Sequence, residues 1–394
     1  MKVIINGNII LEDEMLEHGA VVIDKDVIID ILPAAEAGHY VKDADSVIDA
    51  KGGYITPGFI DIHSDYIEGI VAPRPTSMMD VHLGIRESER ILSSHGISTI
   101  FHSLSIYKKD MFGHKPVRSP ENVDKLIRAI DQTHNEKRLI RHRLHARFEI
   151  DSVEQVPMIR EHIEKDRVHL LSFMDHTPGQ GQYRDIEMYL KTMKGYQDLS
   201  DAQIVQVMEQ KQSHDTLSFE DMKELADLAI SRGIAVASHD DDSTEKIDLA
   251  KKLGTTISEF PIYMDVAKYA HGGEMHTLAG APNIMLGGSH SGNLNAREAI
   301  EAGCISILCS DYYPASMLHG VFQLHQQYGV PLAEAVKLIT VNPAKAVNMD
   351  DEIGSIQIGK KADINVIQMD DDYPMITECI VNGFTVSRYH YRVE

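Results

Sequence analysis

Short apolar runs separated by turn residues occupy roughly the first 55 and the last 40 residues of the chain. KVIING and VVIDKDVIIDI near the start, and GSIQIGKKADINVIQ and CIVNGFTVS near the end, have the alternating or continuous apolar pattern of β-strands. Turns are predicted at three dipeptides: Asn6-Gly7, Asp24-Lys25 and Asn382-Gly383. The pattern therefore predicts a small β-sandwich domain built from residues 1–55 and 349–394.

Between these ends, residues 56–348 alternate apolar runs with helical periodicity. Eight runs are predicted as barrel strands: GFIDIH, ISTIFHS, RLHARFEI, VHLLSFMDH, IAVASHD, TTISEFP, NIMLGGS and ISILCSD. Helices are predicted over four of the intervening stretches: Arg86–Ser94, Glu121–His134, Phe219–Ser231 and Thr244–Leu253. Ser218 and Ser243 stand at N-cap positions, and Gly254 follows a helical stretch. The fold class predicted is α/β, a distorted (β/α)8 barrel with its chemistry at the carboxyl ends of the strands.

Composition limits the function classes. The 394 residues carry a formal net charge of −22, which argues against general binding to nucleic acid or to anionic membranes. It leaves a small anionic substrate open, because a pocket can be locally basic. Three cysteines, with no C-x-x-C pair, do not form a disulfide framework, so we expect a cytoplasmic protein. The oligomeric state, including a homo-oligomer, stays open.

Histidines and carboxylates follow most of the predicted barrel strands. They are His63, Asp65, Glu149, Asp175, His176, His239, Asp240, Asp241, Asp242, Glu259 and Asp311. Any one of them alone is more often a hydrogen-bonded histidine or a helix-capping aspartate. Residues two apart on a strand share a face, so His63 and Asp65 can both point into the barrel mouth. Because so many histidines and carboxylates occur together at one end of one barrel, the sequence predicts a site for zinc, manganese or a related divalent ion.

The segment PGFIDIH, which ends at His63, resembles the first motif of the amidohydrolase superfamily. GSIQIGKKADINVI resembles the return of that superfamily to its β-domain. The resemblance implies a metal-dependent hydrolase on a (β/α)8 barrel. The usual H-x-H is H-x-D here, with Asp65 in the second place. No lysine ends the fourth strand, and Glu149 is the implied substitute for a carboxylated lysine.

An ordered set of further motifs is similar to one branch of that superfamily over nearly the whole chain. The motifs are HSDYIEGIVAPRP, FMDHTPGQGQYRD, ASHDDDS, SEFP, GAPNIMLGGSHSGN and SDYYPAS. The branch comprises the triphosphate hydrolases of the carbon–phosphorus lyase pathway in phosphonate metabolism. The resemblance implies removal of pyrophosphate from α-D-ribose 1-methylphosphonate 5-triphosphate, which leaves the 5-phosphate.

On this interpretation, one or two divalent ions, zinc in the first place, have five ligands: His63, Asp65, Glu149, His176 and His239. Asp311 is expected to accept or relay a proton, as the aspartate after strand eight does in the superfamily. Glu259 is expected either to ligate or to hold His239. Phosphate oxygens are expected on two arginines and a glycine-rich loop: Arg74, Arg184, Gly288, Ser289, His290 and Asn293.

Two alternatives stay open. A hydrolase of the same fold could act on a cyclic amide or deaminate a base, because a fold does not determine a substrate. A non-catalytic scaffold is the second alternative, and the retention of His63, His176, His239 and Asp311 argues against it. The stretch from Gly179 to Ser218 is long for a strand-to-helix connection and is expected to cover the site.

Overall fold

The computed structural model of the chain describes residues 1–74, 76–108, 116–176, 215–289 and 293–391. The strands in these ranges are β1 (Lys2–Ile10), β2 (Met15–Asp24), β3 (Val27–Pro33), β4 (Ser46–Asp49), β5 (Tyr54–Pro57), β6 (Phe59–Ser64), β7 (Ile97–Ile106), β8 (Arg141–Glu149), β9 (Leu170–Met174), β10 (Ala235–His239), β11 (Ile257–Glu259), β12 (His276–Gly280), β13 (Ile307–Cys309), β14 (Ile364–Asp370), β15 (Tyr373–Val381) and β16 (Phe384–Arg388). The α-helices are α1 (Gly38–Asp43), α2 (Tyr66–Val71), α3 (Val81–Ser94), α4 (Pro120–His134), α5 (Val156–Glu164), α6 (Phe219–Ser231), α7 (Thr244–Leu253), α8 (Met264–Gly272), α9 (Ala281–Leu286), α10 (Ala296–Glu301), α11 (Ala315–Tyr328), α12 (Leu332–Lys337) and α13 (Val341–Ala346).

Both ends of the chain contribute to one mixed sheet, which we call the terminal sheet. Its order is β16-β15-β14-β5-β1-β2-β3, with β4 paired to β1. The antiparallel pairing of β14 with β5 joins the C-terminal strands to the N-terminal ones. Ile4, Ile55 and Ile364 are fully buried in its apolar core. The predicted β-domain from both termini is confirmed, and its exact boundaries stay a prediction.

Two of the three predicted turns are confirmed. Asn382 and Gly383, with φ of 49° and 75°, connect β15 to β16, and Lys25, with φ of 54°, connects β2 to β3. The predicted turn at Asn6-Gly7 is wrong, because this dipeptide lies inside β1 where the register against β2 shifts. A dipeptide that tolerates left-handed backbone suits a bulge as well as a turn, so composition alone did not separate the two.

Strands β6 to β13 form a parallel eight-stranded sheet in sequence order, which confirms the predicted barrel. The sheet closes where the amide of Asp65 donates to the carbonyl oxygen of Asp311 at 2.9 Å and the amide of Asp311 donates to that of His63 at 3.1 Å. Every residue of β6 and β7 is buried. Because the strands run in one direction, their carboxyl ends meet at one opening, the mouth, and their amino ends meet at the floor.

The seventh barrel strand is β12, and the predicted strand NIMLGGS is wrong. Most of that segment lies in helix α9, which has Pro282 in its first turn and is capped at its C-terminus by Gly287 with φ of 73°. A short apolar run does not distinguish strand from helix by its period, and the proline in front of it was a helix-start signal.

The helices flanking the barrel mostly begin and end as predicted. Helices α6 and α7 have the predicted bounds, and the hydroxyls of Ser218 and Ser243 accept the amide protons of Asp221 and Lys246. Helix α3 begins five residues earlier than predicted, because Asp80 caps it by accepting from the amide of Leu83 at 2.8 Å. Among the described residues, no helix has the length and apolar character to cross a bilayer.

Polar side chains form hydrogen bonds between the floor of the barrel and the terminal sheet. Arg141, at the start of β8, donates to Asp363 and Asn382, with Nη2 3.2 Å from Asp363 Oδ1. The Asn365 amide donates to the carbonyl oxygen of Gly96 at 2.8 Å. Gly96 has φ of 82°, and a Cβ there would lie 2.7 Å from Asn365 Nδ2, so this junction needs glycine.

Candidate metal centre and active site

Two groups of potential metal ligands lie at the mouth of the barrel. The first is His63, His145 and Glu259, and the second is His176, His239 and Asp240. Within each group, one ligand atom from every residue lies within 4.8 Å of the others. The side chains come from β6, β8, β10 and β11 and from the residues directly after β9 and β10. The barrel therefore brings together groups that are up to about 200 residues apart in sequence.

The first group is completely enclosed. His63 Nδ1 lies 2.9 Å from Glu259 Oε1, and His145 Nε2 lies 3.7 Å from Glu259 Oε2. His145 is fixed by two hydroxyls, with Ser103 Oγ 3.1 Å from Nδ1 and Ser172 Oγ 2.9 Å from Nε2. His145 and Glu259 have no exposed surface, and His63 has 2%. These side chains are therefore held in one geometry before any ligand binds.

The second group is organised by two carboxylates. Glu149 accepts from the backbone amide of His176 and lies 2.7 Å from its Nδ1, which fixes the orientation of that ring. His239 Nδ1 and His176 Nε2 lie 3.0 and 3.6 Å from Asp240 Oδ2. Asp240 has φ of 53°, and its amide donates to the carbonyl oxygen of Glu259 at 2.9 Å. This strained backbone turns the carboxylate towards the histidines.

The two groups form one continuous cluster. The ring of His239 lies 5.6 Å from that of His63 and 5.8 Å from that of His176, measured between centroids. Phe260 packs against both His63 and His239, at 4.9 and 5.3 Å. Arg147 also reaches the cluster, with Nη2 3.0 Å from His239 Nε2.

Unsatisfied polar atoms show that the cluster fits a cation. Among the described residues, His239 Nδ1, Asp240 Oδ2 and Glu259 Oε2 are buried without a hydrogen-bond partner, and the first two lie near each other without hydrogen-bond geometry. A buried unpaired polar atom costs about 1–3 kcal/mol, so such atoms are rare in folded proteins. Imidazole nitrogens and carboxylate oxygens are the ligands of zinc and related divalent ions. The residues present therefore fit a divalent metal.

The electrostatic environment favours the protonation states that metal ligands need at His63, His145 and Asp240, and it favours a proton on His176 that metal binding would have to release. Burial lowers the pKa of His145 to about 3, and burial together with Arg147 lowers the pKa of His63 well below its usual value. Burial raises the pKa of Asp240, but His239 and His176 lower it more, so the carboxyl is ionised. Burial disfavours a charged His176, yet Glu149 and Asp240 raise its pKa overall. The same negative charges would attract a metal cation.

Asp311 lies at the mouth beside the cluster. It follows β13, and its backbone bonds to His63 and Asp65 close the barrel. Burial, and then the charge of Asp65, raise the pKa of Asp311 to about 7. A carboxylate with a pKa near neutrality is suited to accept a proton at physiological pH.

Two predicted ligands lie next to the two groups and are not members of them. Asp65 is the N-cap residue of α2, and its Oδ2 lies 3.7 Å from Arg118 Nη2, with 31% of the side chain exposed. Glu149 contacts His176 as described above. Both therefore stay predictions as metal ligands.

The predicted phosphate-binding residues are only partly described. Arg74 is exposed in the loop after α2. Gly288, Ser289 and Asn293 flank the end of α9 and the stretch before α10, and the amide of Gly288 donates to the carbonyl oxygen of Asn283. Arg184, His290 and most of the stretch from Gly179 to Ser218 lie outside the described residues. Their roles stay predictions.

Two residues of the cluster were not singled out by the sequence, and a third, Asp240, was named at a strand end without being assigned as a ligand. His145 and Arg147 lie within β8, and Asp240 stood in an acidic run that is also typical of a solvated turn. A signal for the first two was present, because His145, Arg147 and Glu149 are spaced two apart and so share one face of a strand.

The profile of the amidohydrolase family matches residues 54–387. The chain belongs to the amidohydrolase family, a family of metal-dependent hydrolases.

Among curated relatives, the α-D-ribose 1-methylphosphonate 5-triphosphate diphosphatase of Escherichia coli (strain K12) is 34% identical over 377 residues, covering 94% of this chain and 96% of that protein. An imidazolonepropionase of Fusobacterium nucleatum is 25% identical over 371 residues, covering 90% and 86%.

Solved structures agree on the fold. The N-acetylglucosamine-6-phosphate deacetylase of Pasteurella multocida is similar with a TM-score of 0.62 at 16% identity, over 97% of this chain and 98% of that one. The ochratoxinase of A. niger is similar with a TM-score of 0.63 at 15% identity, over 98% and 96%. At these identities the likeness concerns the fold alone.

Proposed function

We propose that this chain is a metal-dependent phosphohydrolase that removes pyrophosphate from α-D-ribose 1-methylphosphonate 5-triphosphate and leaves the 5-phosphate. The observation that carries the proposal is the 34% identity to the E. coli diphosphatase over nearly the full length of both chains. The preorganised ligand cluster at the barrel mouth supports the hydrolytic class. A cytoplasmic location fits the three free, buried cysteines.

Six residues would hold the metal, which we propose to be zinc, as one or two ions: His63, His145 and Glu259 in one group, and His176, His239 and Asp240 in the other. We propose that Asp65 and Glu149, which the sequence predicts as ligands, complete the coordination or orient it. A divalent ion in this place supplies Lewis acidity towards phosphoryl oxygens and lowers the pKa of bound water.

The chain's own residues prepare the reaction around that centre. Glu149 fixes the ring of His176, and the serine hydroxyls fix His145, so little reorganisation is needed when substrate binds. Asp311 takes the proton from the attacking water. We assign the departing phosphates to Arg74, Arg184 and the loop 287–293, where arginine forks and backbone amides would neutralise the developing charge.

The position of bond cleavage tests the proposal. Reaction in oxygen-18 water should place the label in the 5-phosphate of the sugar, because water attacks the α-phosphorus and pyrophosphate leaves. Label in pyrophosphate would show attack at the β-phosphorus, and orthophosphate as first product would show attack at the γ-phosphorus. Either result would contradict the assigned reaction while leaving a metallohydrolase.

A substrate panel tests the alternatives. It should contain the ribose phosphonate triphosphate, nucleoside triphosphates, cyclic amides and imidazolonepropionate, the last because of the imidazolonepropionase relatives. We expect turnover of the first to exceed that of the others. Elemental analysis of the purified protein belongs in the same experiment, since a chain without metal and without turnover of any compound would be a scaffold.

A further inference from the structure

Arg147 is a cationic side chain at the mouth that the mechanism above leaves without a role. It lies in β8 two residues from His145 and two from Glu149, so the three share the inner face of that strand. Its Nη2 lies 3.0 Å from His239 Nε2. The side chain is half-buried, and its Nε is buried without a hydrogen-bond partner among the described residues.

A half-buried guanidinium normally faces a carboxylate, because leaving the charge unpaired in a protein interior is costly. Arg118 pairs with Glu68 at 2.8 Å, and Arg141 pairs with Asp363. Within the described ranges, Arg147 has no carboxylate oxygen within 4.0 Å of its nitrogens. Its Nη2 faces instead a ring nitrogen of His239.

Arg143 resembles Arg147 in its contacts but differs from it in position. It lies on the same strand, has a buried Nε without a partner, and has Nη1 3.3 Å from an imidazole nitrogen, that of His134. It lies nearer the floor, away from the ligand groups. The missing partner is therefore common to both arginines, and the position beside the ligand cluster is particular to Arg147.

We infer that Arg147 binds a phosphate oxygen of the reacting triphosphate and so determines specificity for a phosphorylated substrate at this mouth. The inference rests on the proposed function and deepens it. A planar guanidinium with free N–H groups offers two parallel hydrogen bonds to phosphate oxygens. The substrate anion thus supplies the charge partner that the described residues lack, beside the ligands that hold the metal.

The test compares Arg147→Met and Arg147→Lys with Arg143→Met as a matched control in metal-loaded enzyme. Isothermal titration measures the affinity for inorganic pyrophosphate, elemental analysis measures bound metal, and kinetics follow the triphosphate. Arg147→Met should bind pyrophosphate about 100-fold more weakly and lose about 100-fold in kcat/KM, the scale for one lost charge-stabilising donor. Arg147→Lys should lose about 10-fold, since it keeps the charge and loses the fork. All variants should keep wild-type metal content, and Arg143→Met should match wild type.

The results separate this inference from the proposed function. Wild-type enzyme that binds pyrophosphate through Arg147 but does not hydrolyse the triphosphate would contradict the proposed function alone. Arg147→Met that binds pyrophosphate as tightly as wild type would overturn the inference, as would wild type without measurable affinity. Arg147→Met that loses metal together with pyrophosphate binding would assign the residue to holding His239 and would also overturn it.

Discussion

Strand β8 runs from the floor of the barrel to its mouth and carries a charged or imidazole side chain at every second position: Arg141, Arg143, His145, Arg147 and Glu149. At the floor, Arg141 is bound by Asp363 and Asn382 of the terminal sheet. At the mouth, Glu259, Asp240 and His239 keep buried atoms without partners among the described residues.

The difference between the two ends shows how one scaffold separates stability from chemistry. At the floor, Arg141, Asp363 and Asn382 bond to one another, so their loss should weaken the fold and leave the reaction unaffected. Several polar groups at the mouth lack partners within the described residues and are suited to bind a ligand. Their loss should therefore abolish binding or turnover and leave the fold intact. The following changes test that separation.

The largest effect is expected for His239→Ala at the mouth. Removal of a ligand should eliminate most bound metal and lower the activity more than about 1,000-fold. This loss exceeds the roughly 10–100-fold decrease typical of residues that only orient a ligand. Elemental analysis and turnover measure both. His134→Ala near the floor is the control and should keep metal and activity. Full metal content in His239→Ala would exclude this histidine as a ligand.

Arg141→Met should destabilise the fold by about 3–5 kcal/mol, because it leaves the carboxylate of Asp363, 2% exposed, buried without its cation. Chemical denaturation measures the free energy of unfolding. Metal content and kcat of the folded variant should equal those of wild type. The double variant Arg141→Met with Asp363→Asn should recover part of the stability, and a single variant as stable as wild type would contradict the floor's structural role.

Asp311→Asn should keep metal and substrate binding and lower kcat by at least about 100-fold, the usual range for loss of general acid–base catalysis. Metal content, KM and the pH dependence of kcat check the assignment. Wild type should show a fall in kcat at low pH, and this low-pH limb should be absent in the variant, which lacks the carboxylate. A variant whose kcat is unchanged at every pH would exclude Asp311 as the proton acceptor.

The smallest effect concerns pH and stability outside the mouth. Burial, and then His142, hold the pKa of His102 well below its usual value, and its Nε2 lies 2.9 Å from His142 Nδ1. The unfolded chain takes up a proton on this histidine below pH 6.5 and the folded chain does not. Stability should therefore fall as pH decreases from about 6.5, by up to about 1.4 kcal/mol per pH unit.

Denaturation of metal-depleted protein at pH 7.5, 6.5 and 5.5 measures this slope. His102→Gln keeps a donor for His142. This variant should show a smaller slope, and its stability at pH 7.5 should remain near that of wild type. An identical slope in the variant would show that His102 is charged in the folded protein.

Much of the site followed from one rule, that side chains at the carboxyl ends of parallel strands meet. The rule found His63, His176, His239 and Glu259, because each ends or follows a strand. It overlooked His145, which reaches the cluster from inside β8, because the residues before a strand end also project into a barrel of this width. The pairing of each carboxylate with a particular histidine depends on backbone details such as the positive φ of Asp240. Such details cannot be predicted from composition.

The fold was predicted to a similar extent. The barrel, its direction and the β-domain from both termini followed from periodicity and turn residues. The seventh strand was assigned to the helix α9 instead of β12, because HTLAG is short and mixed in polarity while NIML is strongly apolar. Apolar content gives burial more directly than it gives secondary structure.

The pairing of β5 with β14 has a consequence for how the protein is made. Pro57 lies opposite Ile364, so the two strands are separated by roughly 300 residues of chain. At about 5–20 residues per second, a ribosome needs roughly 15–60 s to produce the second strand after the first has emerged. During that time the apolar edge of β5 has no partner and can pair with the same edge of another nascent chain. A polypeptide ending just before β14 would contain every ligand at the mouth and still be prone to aggregate, so translation to the last strands decides the yield of soluble enzyme.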